Sequence, residues 1–251
     1  AHIFMTEEQM IPEIQNVARL IDEVYSRFGF SYHVELSTRP DDSIGSDEEW
    51  EQATKALQEA MDAIHVAYKI NEGDGAFYGP KLDFHLQDSI GRTWQCGTIQ
   101  LDFQLPRRFG AEYTGEDGKT RRPVMIHRVL FGSIERFIGI LLEHYAGKFP
   151  LWLAPVQVKV LSLAKRSNEY AKGVADELSR MGIRCETDER SEKIGFKIRE
   201  AQLDKVPYMA IVGQNEIDAQ TVSVRKRDGG DLGSMTVEQF ASLLRQEIRT
   251  R

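Results

Sequence analysis

Residues 124–137 read VMIHRVLFGSIERF, and residues 94–103 read WQCGTIQLDF. The first stretch is a β-rich run, a break at Gly132–Ser133 and then an apolar helical pattern, so it predicts strand, turn and helix. Arg136 falls in the first turn of that helix, where a fixed planar cation joins the positive end of the helix dipole. That pairing suits a polyphosphate. Standing alone, an ER dipeptide would read as a surface Arg beside Glu135. The second stretch argues otherwise. Gln95, Thr98 and Gln100 place amides and a hydroxyl beside the small Gly97 and Cys96, in a segment whose strand pattern predicts burial.

The chain of 251 residues has room for two domains, and its 41% hydrophobic and 28% charged content is that of an ordinary globular protein. No apolar run approaches the length of a membrane helix, so no membrane association is expected. The start, AHIFMTEEQM, has neither a basic region nor a cleavage pattern. Cys96 and Cys185 read as reduced, buried thiols, and the expected setting is cytoplasmic. HIF reads as the end of a strand, which predicts a piece of a larger protein. Charge is uneven. Residues 1–150 carry 15 Lys+Arg and 24 Asp+Glu, whereas residues 151–251 carry 17 and 15. The second part is therefore the better candidate for contact with a polyanion.

The segment GKFPLWLAP (147–155) breaks the pattern, and a boundary near Leu153 divides domains 1–152 and 153–251. In the first, helices are predicted at 6–28 and 47–63, each opened by a capping box, Thr6 with Gln9 and Ser46 with Glu49. Strands are predicted at 32–37, 65–70, 81–87, 92–103 and 124–129, and a core helix at 133–146. Within 81–87, Leu82, Phe84 and Leu86 alternate with Lys81, Asp83 and His85, a half-buried strand. This is an α+β domain with an antiparallel sheet. The second domain alternates strands (156–161, 183–187, 208–212, 221–225) with helices (168–181, 191–203, 236–248), which predicts an α/β domain with a mostly parallel, five-stranded sheet. A dinucleotide fingerprint and a Walker loop are both absent from the sequence.

Together, AHIF (1–4), LSTRP (36–40), IGSDEEW (44–50), GAFYGPKLDF (75–84), WQCGTIQLDF (94–103), PVMIHR (123–128), GSIERF (132–137) and DERSEKIGFKIREAQ (188–202) resemble the class II aminoacyl-tRNA synthetases, most closely the threonyl branch. The resemblance covers the whole chain. It implies the later part of a class II catalytic domain followed by an anticodon-binding domain. It also implies ATP with Mg2+, threonine and tRNA(Thr) as ligands, activation through a threonyl-adenylate, and a homodimer. Such chemistry asks the protein for positioning and charge stabilisation. Arg136 matches the third-motif arginine that grips the γ-phosphate, with Ser133 at the start of the same helix. Gln95 and Thr98 match residues around ATP. Tyr78 and Lys81 match residues lining the amino-acid and phosphate side, and Gln100 matches the pocket floor.

His2 and His127 form no zinc motif by spacing. The resemblance places both on the two His positions of a zinc site whose Cys ligand precedes Ala1. There the metal reads threonine's amino and hydroxyl groups, a demand that valine cannot meet. In the second domain the resemblance implies anticodon reading. On that expectation Glu216 can accept from a guanine's N–H groups, Arg225 can donate a fork to a base or phosphate, and Arg190 and Lys193 supply cations at a helix start. Ser191 stands where the family pattern has Asn. The first two class motifs are absent. Two other readings stand beside this one: a synthetase-like fragment that binds RNA without catalysis, and a sister class II ligase for proline, glycine or serine.

Overall fold

The computed structural model describes residues 1–250, which form two compact units dividing at residues 141/142. The first contains β1 (His2–Met5), α1 (Met10–Phe28), β2 (Tyr32–Ser37), α2 (Asp47–Ala63), β3 (Tyr68–Asn71), β4 (Lys81–Gln87), β5 (Thr93–Asp102), α3 (Gln104–Arg108), β6 (Tyr113–Thr114), β7 (Thr120–Arg121) and β8 (Val124–Val129), with α4 (Ile134–His144) running across its end. Six strands form one sheet in the order β1-β8-β5-β4-β2-β3. All its pairings are antiparallel except β2 with β3.

Alternation builds the core. Val34, Leu36, Leu82, Phe84, Leu86, Ile99, Leu101 and Ile126 are buried. The buried stripes of α1 (Ile14, Val17, Ile21, Tyr25) and α2 (Trp50, Ala53, Leu57, Ala60, Met61) pack together and against the sheet. Both predicted capping boxes form: Thr6 N–H donates to Gln9 Oε1 at 2.9 Å, and Glu49 N–H donates to Ser46 Oγ at 3.3 Å. A single 3-10 turn, Glu7–Gln9, precedes α1. Gly29, at φ 75°, closes α1 in the left-handed region.

Two expectations need correction. The strand predicted at 65–70 begins at Tyr68, because His65, at φ 56°, is still part of the exit from α2. The helix read as core is amphipathic. Phe137, Ile140 and Leu141 are buried, whereas Ile134, Ile138 and Leu142 are about half exposed (55%, 48% and 46%). Periodicity cannot tell a helix buried all round from one with an apolar face left uncovered.

The second unit contains β9 (Val158–Ser162), α5 (Asn168–Arg180), β10 (Cys185–Asp188), α6 (Ile194–Leu203), β11 (Tyr208–Val212), α7 (Gln214–Ala219), β12 (Val222–Lys226), β13 (Asp231–Met235) and α8 (Val237–Arg249). Its five-stranded sheet has the order β10-β9-β11-β12-β13. β10, β9 and β11 are parallel; β12 runs against β11 and β13 against β12, so β12 alone is reversed. The core gathers Val158, Val160, Val174, Leu178, Tyr208, Ala210, Val224, Phe240 and Leu244. Leu151 joins it, so the stretch just before Leu153 packs with this unit. Short α7 and β13 carried too little pattern to be read from sequence.

Gly79 makes a backbone approach that no other residue tolerates: a Cβ there would overlap the Leu101 carbonyl oxygen. Gly139 on exposed α4 has nothing within 4 Å. In urea unfolding of the chain, Gly79→Ala should lower stability by about 1–3 kcal/mol through overpacking. Gly139→Ala should raise it by up to about 1 kcal/mol through helix propensity. Equal effects would show that the two backbone environments do not differ as described.

Candidate functional site

The face of the first sheet opposite the helices carries the chemistry. Cross-strand register aligns Ser37, Lys81, Gln100, His127 and His2 in one row across β2, β4, β5, β8 and β1. One step along lies Glu35 opposite Asp83 opposite Thr98, and a further step brings His33 opposite His85 opposite Gln95. Strict alternation would put Gln95 and Thr98 on opposite faces. A bulge changes this: Phe84 pairs with Gly97 but His85 pairs with Gln95, leaving Cys96 as the extra residue. Gly97 must stay small, because a Cβ would meet the Tyr25 hydroxyl at 2.7 Å and Phe84 Cβ at 3.0 Å.

The centre of the face is Asp83, 1% exposed. Gln95 Nε2 and Thr98 Oγ1 donate to its Oδ1 at 2.6 and 3.0 Å. Ser37 Oγ donates to Oδ2 at 3.1 Å, and Lys81 Nζ pairs with Oδ2 at 2.7 Å. Lys81 also reaches Asp74 at 3.2 Å. Burial by itself would lower the ammonium's pKa; the Asp83 and Asp74 carboxylates outweigh it and raise the value, so Lys81 stays charged. By alternation within 81–87, Asp83 belongs to the polar side of a half-buried strand. It carried no spacing signal that it would be a buried hub.

Arg136 lies in the first turn of α4, where its guanidinium donates to the Gln95 carbonyl oxygen. Its backbone N–H reaches Ser133 Oγ at 3.4 Å, and the same hydroxyl donates to Glu135 at 3.0 Å. Tyr78 donates to Gln100 Oε1 at 2.7 Å, and its ring lies 5.3 Å from that of His127. The rings of His2 and His127 are 4.8 Å apart, edge to face. His127 Nε2 contacts Asp102 Oδ2 at 2.8 Å, and Asp102 is fully buried. Asp102 also accepts from the Gln104 and Leu105 N–H groups, so its position is fixed by the start of α3. Asp102 is a second residue that sequence analysis missed. Of the nine residues expected in the first domain, eight (His2, Tyr78, Lys81, Gln95, Thr98, Gln100, His127 and Arg136) lie at this face or its rim, and the ninth, Ser133, sits beside Arg136.

The candidates in the second unit are less free than expected. Arg190 does not stand open at a helix start: its guanidinium is forked onto Asp188 (3.0 and 2.6 Å) and also pairs with Glu200. α6 starts at Ile194, with Lys193 and not Ser191 in the capping position. Lys193 is exposed. Glu216 accepts from Gly213 N–H and Ser223 Oγ, both at 2.8 Å. Arg225 has its Nε buried without a hydrogen-bond partner among the described residues.

Residues 1–145 match the family model for the tRNA synthetase class II core domain (G, H, P, S and T), and residues 157–247 match that for the anticodon binding domain. Threonine–tRNA ligase from Clostridium tetani is 62% identical over all of this chain and 39% of its own length. That from Clostridioides difficile is 61% identical, with the same coverage. The chain thus spans about two fifths of the length of these curated relatives. The crystal structure of the RNA binding domain of threonyl-tRNA synthetase from Cryptosporidium parvum superposes with TM-score 0.93 at 42% identity, covering 98% of this chain and 62% of that one. A threonyl-tRNA synthetase described as putative, from Aeropyrum pernix, gives 0.77 at 30% identity, covering 99% and 62%. Prolyl-tRNA synthetase from Cryptosporidium parvum, at 16% identity and TM-score 0.64, shares the fold. With a core domain and an anticodon domain matched in order along it, this chain belongs to the class II tRNA synthetases of the G, H, P, S and T group.

Proposed function

We propose that this chain is the third-motif half of a threonine-activating site joined, near Leu153, to the domain that reads the anticodon of tRNA(Thr). The single observation that carries the reading is the sheet face on which His2, His127, Gln100, Lys81, Thr98 and Gln95 converge, with Arg136 bonded to its rim. The reaction is ATP-dependent, with Mg2+, and proceeds through threonyl-adenylate to the tRNA ester. Arg136 holds the γ-phosphate with a cation already oriented by its bond to Gln95. Lys81, kept charged by Asp83 and Asp74, faces the developing negative charge. Preorganised cations of this kind stabilise a transition state without having to reorient. Gln95 and Thr98 line the nucleotide, Ser133 caps the helix that carries Arg136, and Tyr78 with Gln100 floor the amino-acid pocket. Parts of the site that this segment does not contain are assigned to the further length seen in its relatives. A homodimer rests on the family likeness, and a cytoplasmic setting rests on that likeness together with the free thiols of Cys96 and Cys185. Among the described residues no helix is long and apolar enough to cross a membrane.

Zinc fits His2 and His127: two imidazoles on adjacent strands, one of them oriented by a buried carboxylate, make a common metal-site pattern. His2 and His127 would hold the ion, which would supply Lewis-acid recognition of threonine's amino and hydroxyl groups. Asp102 fixes the His127 ring and Gln100 fixes Tyr78 beside it.

In the enzyme with all class motifs in place, Arg136→Ala should slow threonine-dependent ATP–pyrophosphate exchange about 100- to 1,000-fold. Its exposed position predicts an unchanged circular dichroism spectrum. Near-normal exchange would place the γ-phosphate elsewhere, and exchange absent even in the parent enzyme alongside retained tRNA binding would favour an RNA-binding role. In the cobalt-substituted enzyme, threonine but not valine should shift the visible spectrum, and His127→Ala should abolish that shift. An equal shift with valine would remove zinc from threonine recognition. For the second domain, Glu216→Ala should relax discrimination among anticodon stem-loops, whereas Lys193→Ala should weaken all of them alike and lower the salt slope by about one. Arg225 donates to a base or phosphate, and Arg190 acts through the shape of the loop it braces. Unaltered anticodon preference in Glu216→Ala would reassign the reading residue.

A further inference from the structure

Beyond the His2–His127 pair, the same sheet face carries a second group of metal-ligating side chains. His33 and Glu35 lie on β2, and His85 lies on β4 opposite His33. We propose that His33, Glu35 and His85 form a binding site for a divalent transition-metal ion of the zinc–cobalt–nickel class.

One ligand atom from each residue lies within 4.8 Å of the others. His33 Nε2 is 3.5 Å from Glu35 Oε1, and His85 Nε2 is 3.6 Å from Glu35 Oε2. These separations are too long for charge-assisted hydrogen bonds, which close to about 2.7–2.9 Å. They are near the roughly 3.4 Å edge of a tetrahedron of ligands about 2.1 Å from a zinc ion. The two imidazoles stack in parallel, 7° between planes and 4.9 Å between centroids. A metal ion lies near the plane of each imidazole that holds it, so one ring tilts out of this stack when both bind the same ion.

A second, independent observation concerns His85. Its Nε2 is shut off from solvent and has no hydrogen-bond partner among the described residues. A buried polar atom left so is costly unless something is bound to it. Glu35 is already oriented as a ligand, since Asn71 Nδ2 donates to its Oε2 at 3.1 Å. Two neutral imidazoles and one carboxylate are the donor set of open zinc and related divalent sites, with further positions left for water or an anionic ligand. The site is not the His2–His127 pair. It stands two strand spacings (about 10 Å) and four residues along the strand (about 13 Å) from His127. An ion there ties β2 to β4 through side chains. Closing the 4.8 Å spread of ligand atoms requires the His33 side chain, 43% exposed, to turn toward Glu35 and His85.

The test is a zinc titration of the 251-residue chain against a chromophoric chelator. A parent carrying His2→Asn and His127→Asn removes the other imidazole pair. That parent should bind zinc at micromolar free metal, and zinc should raise its melting temperature. Loss of an outer-shell partner alone costs about 10- to 100-fold in metal affinity, so loss of a direct ligand through His85→Gln or His33→Gln should weaken binding by about 100-fold or more. Failure of the His2→Asn/His127→Asn chain to bind zinc would overturn the proposal. So would unchanged affinity in the His33→Gln variant, whose exposed position keeps the fold intact should His85→Gln not fold.

Discussion

A buried carboxylate that must be neutralised organises the first unit. Asp83 is removed from water on β4, and an ion there is destabilising unless it is paired and hydrogen-bonded on every side. Four side chains from three strands and their edges meet that demand: Ser37, Lys81, Gln95 and Thr98. Because each is held by the same two oxygens, none can move independently. The site residues are therefore positioned by the electrostatic requirement of one residue that touches no ligand in the proposed reaction. Removing Asp83 would leave Lys81 with only the exposed Asp74 and would release Gln95, whose carbonyl in turn holds Arg136.

The bulge at Cys96 is what lets this happen. With it, residues three apart in sequence point to one side; without it, Gln95 would enter the helix-packed core as an unsatisfied amide. The core side accepts the same irregularity because Gly97 leaves room for Tyr25, whose hydroxyl donates to the Leu130 carbonyl at 2.6 Å. The strand, the helix behind it and the loop before α4 are thus joined through one glycine.

The second unit repeats the logic with a buried cation. Lys197, 1% exposed, donates to the Ser162 and Asp188 carbonyls at 2.9 and 3.0 Å. The Arg190 hydrogen bonds beside Asp188 hold its carboxyl down to about 2, against the opposing effect of burial. The charged run DERSEKIGFKIRE, which in sequence looks like an RNA-facing surface, is therefore partly internal scaffolding. Lys193 remains the exposed cation at the start of α6, beside Phe196, which is 47% exposed.

The sequence by itself determined the local elements and the residue types of the site. Period-two alternation located β4, a β-rich run located β8, capping boxes located α1 and α2, and the strand–break–helix pattern around Gly132 put Arg136 at a helix start. It also supplied the family likeness, because motif residues recur in order along the chain. Only the tertiary structure decided which of those residues share a face, since that depends on register and on a bulge that no local pattern announces. It alone showed Asp83 and Asp102 to be buried partners, Arg190 to be committed to carboxylates and α4 to keep an uncovered apolar side. The reason is physical. Propensity and periodicity are properties of neighbours along the chain, whereas burial, pairing and charge compensation belong to residues such as Ser37 and Thr98 that meet only when the sheet is assembled.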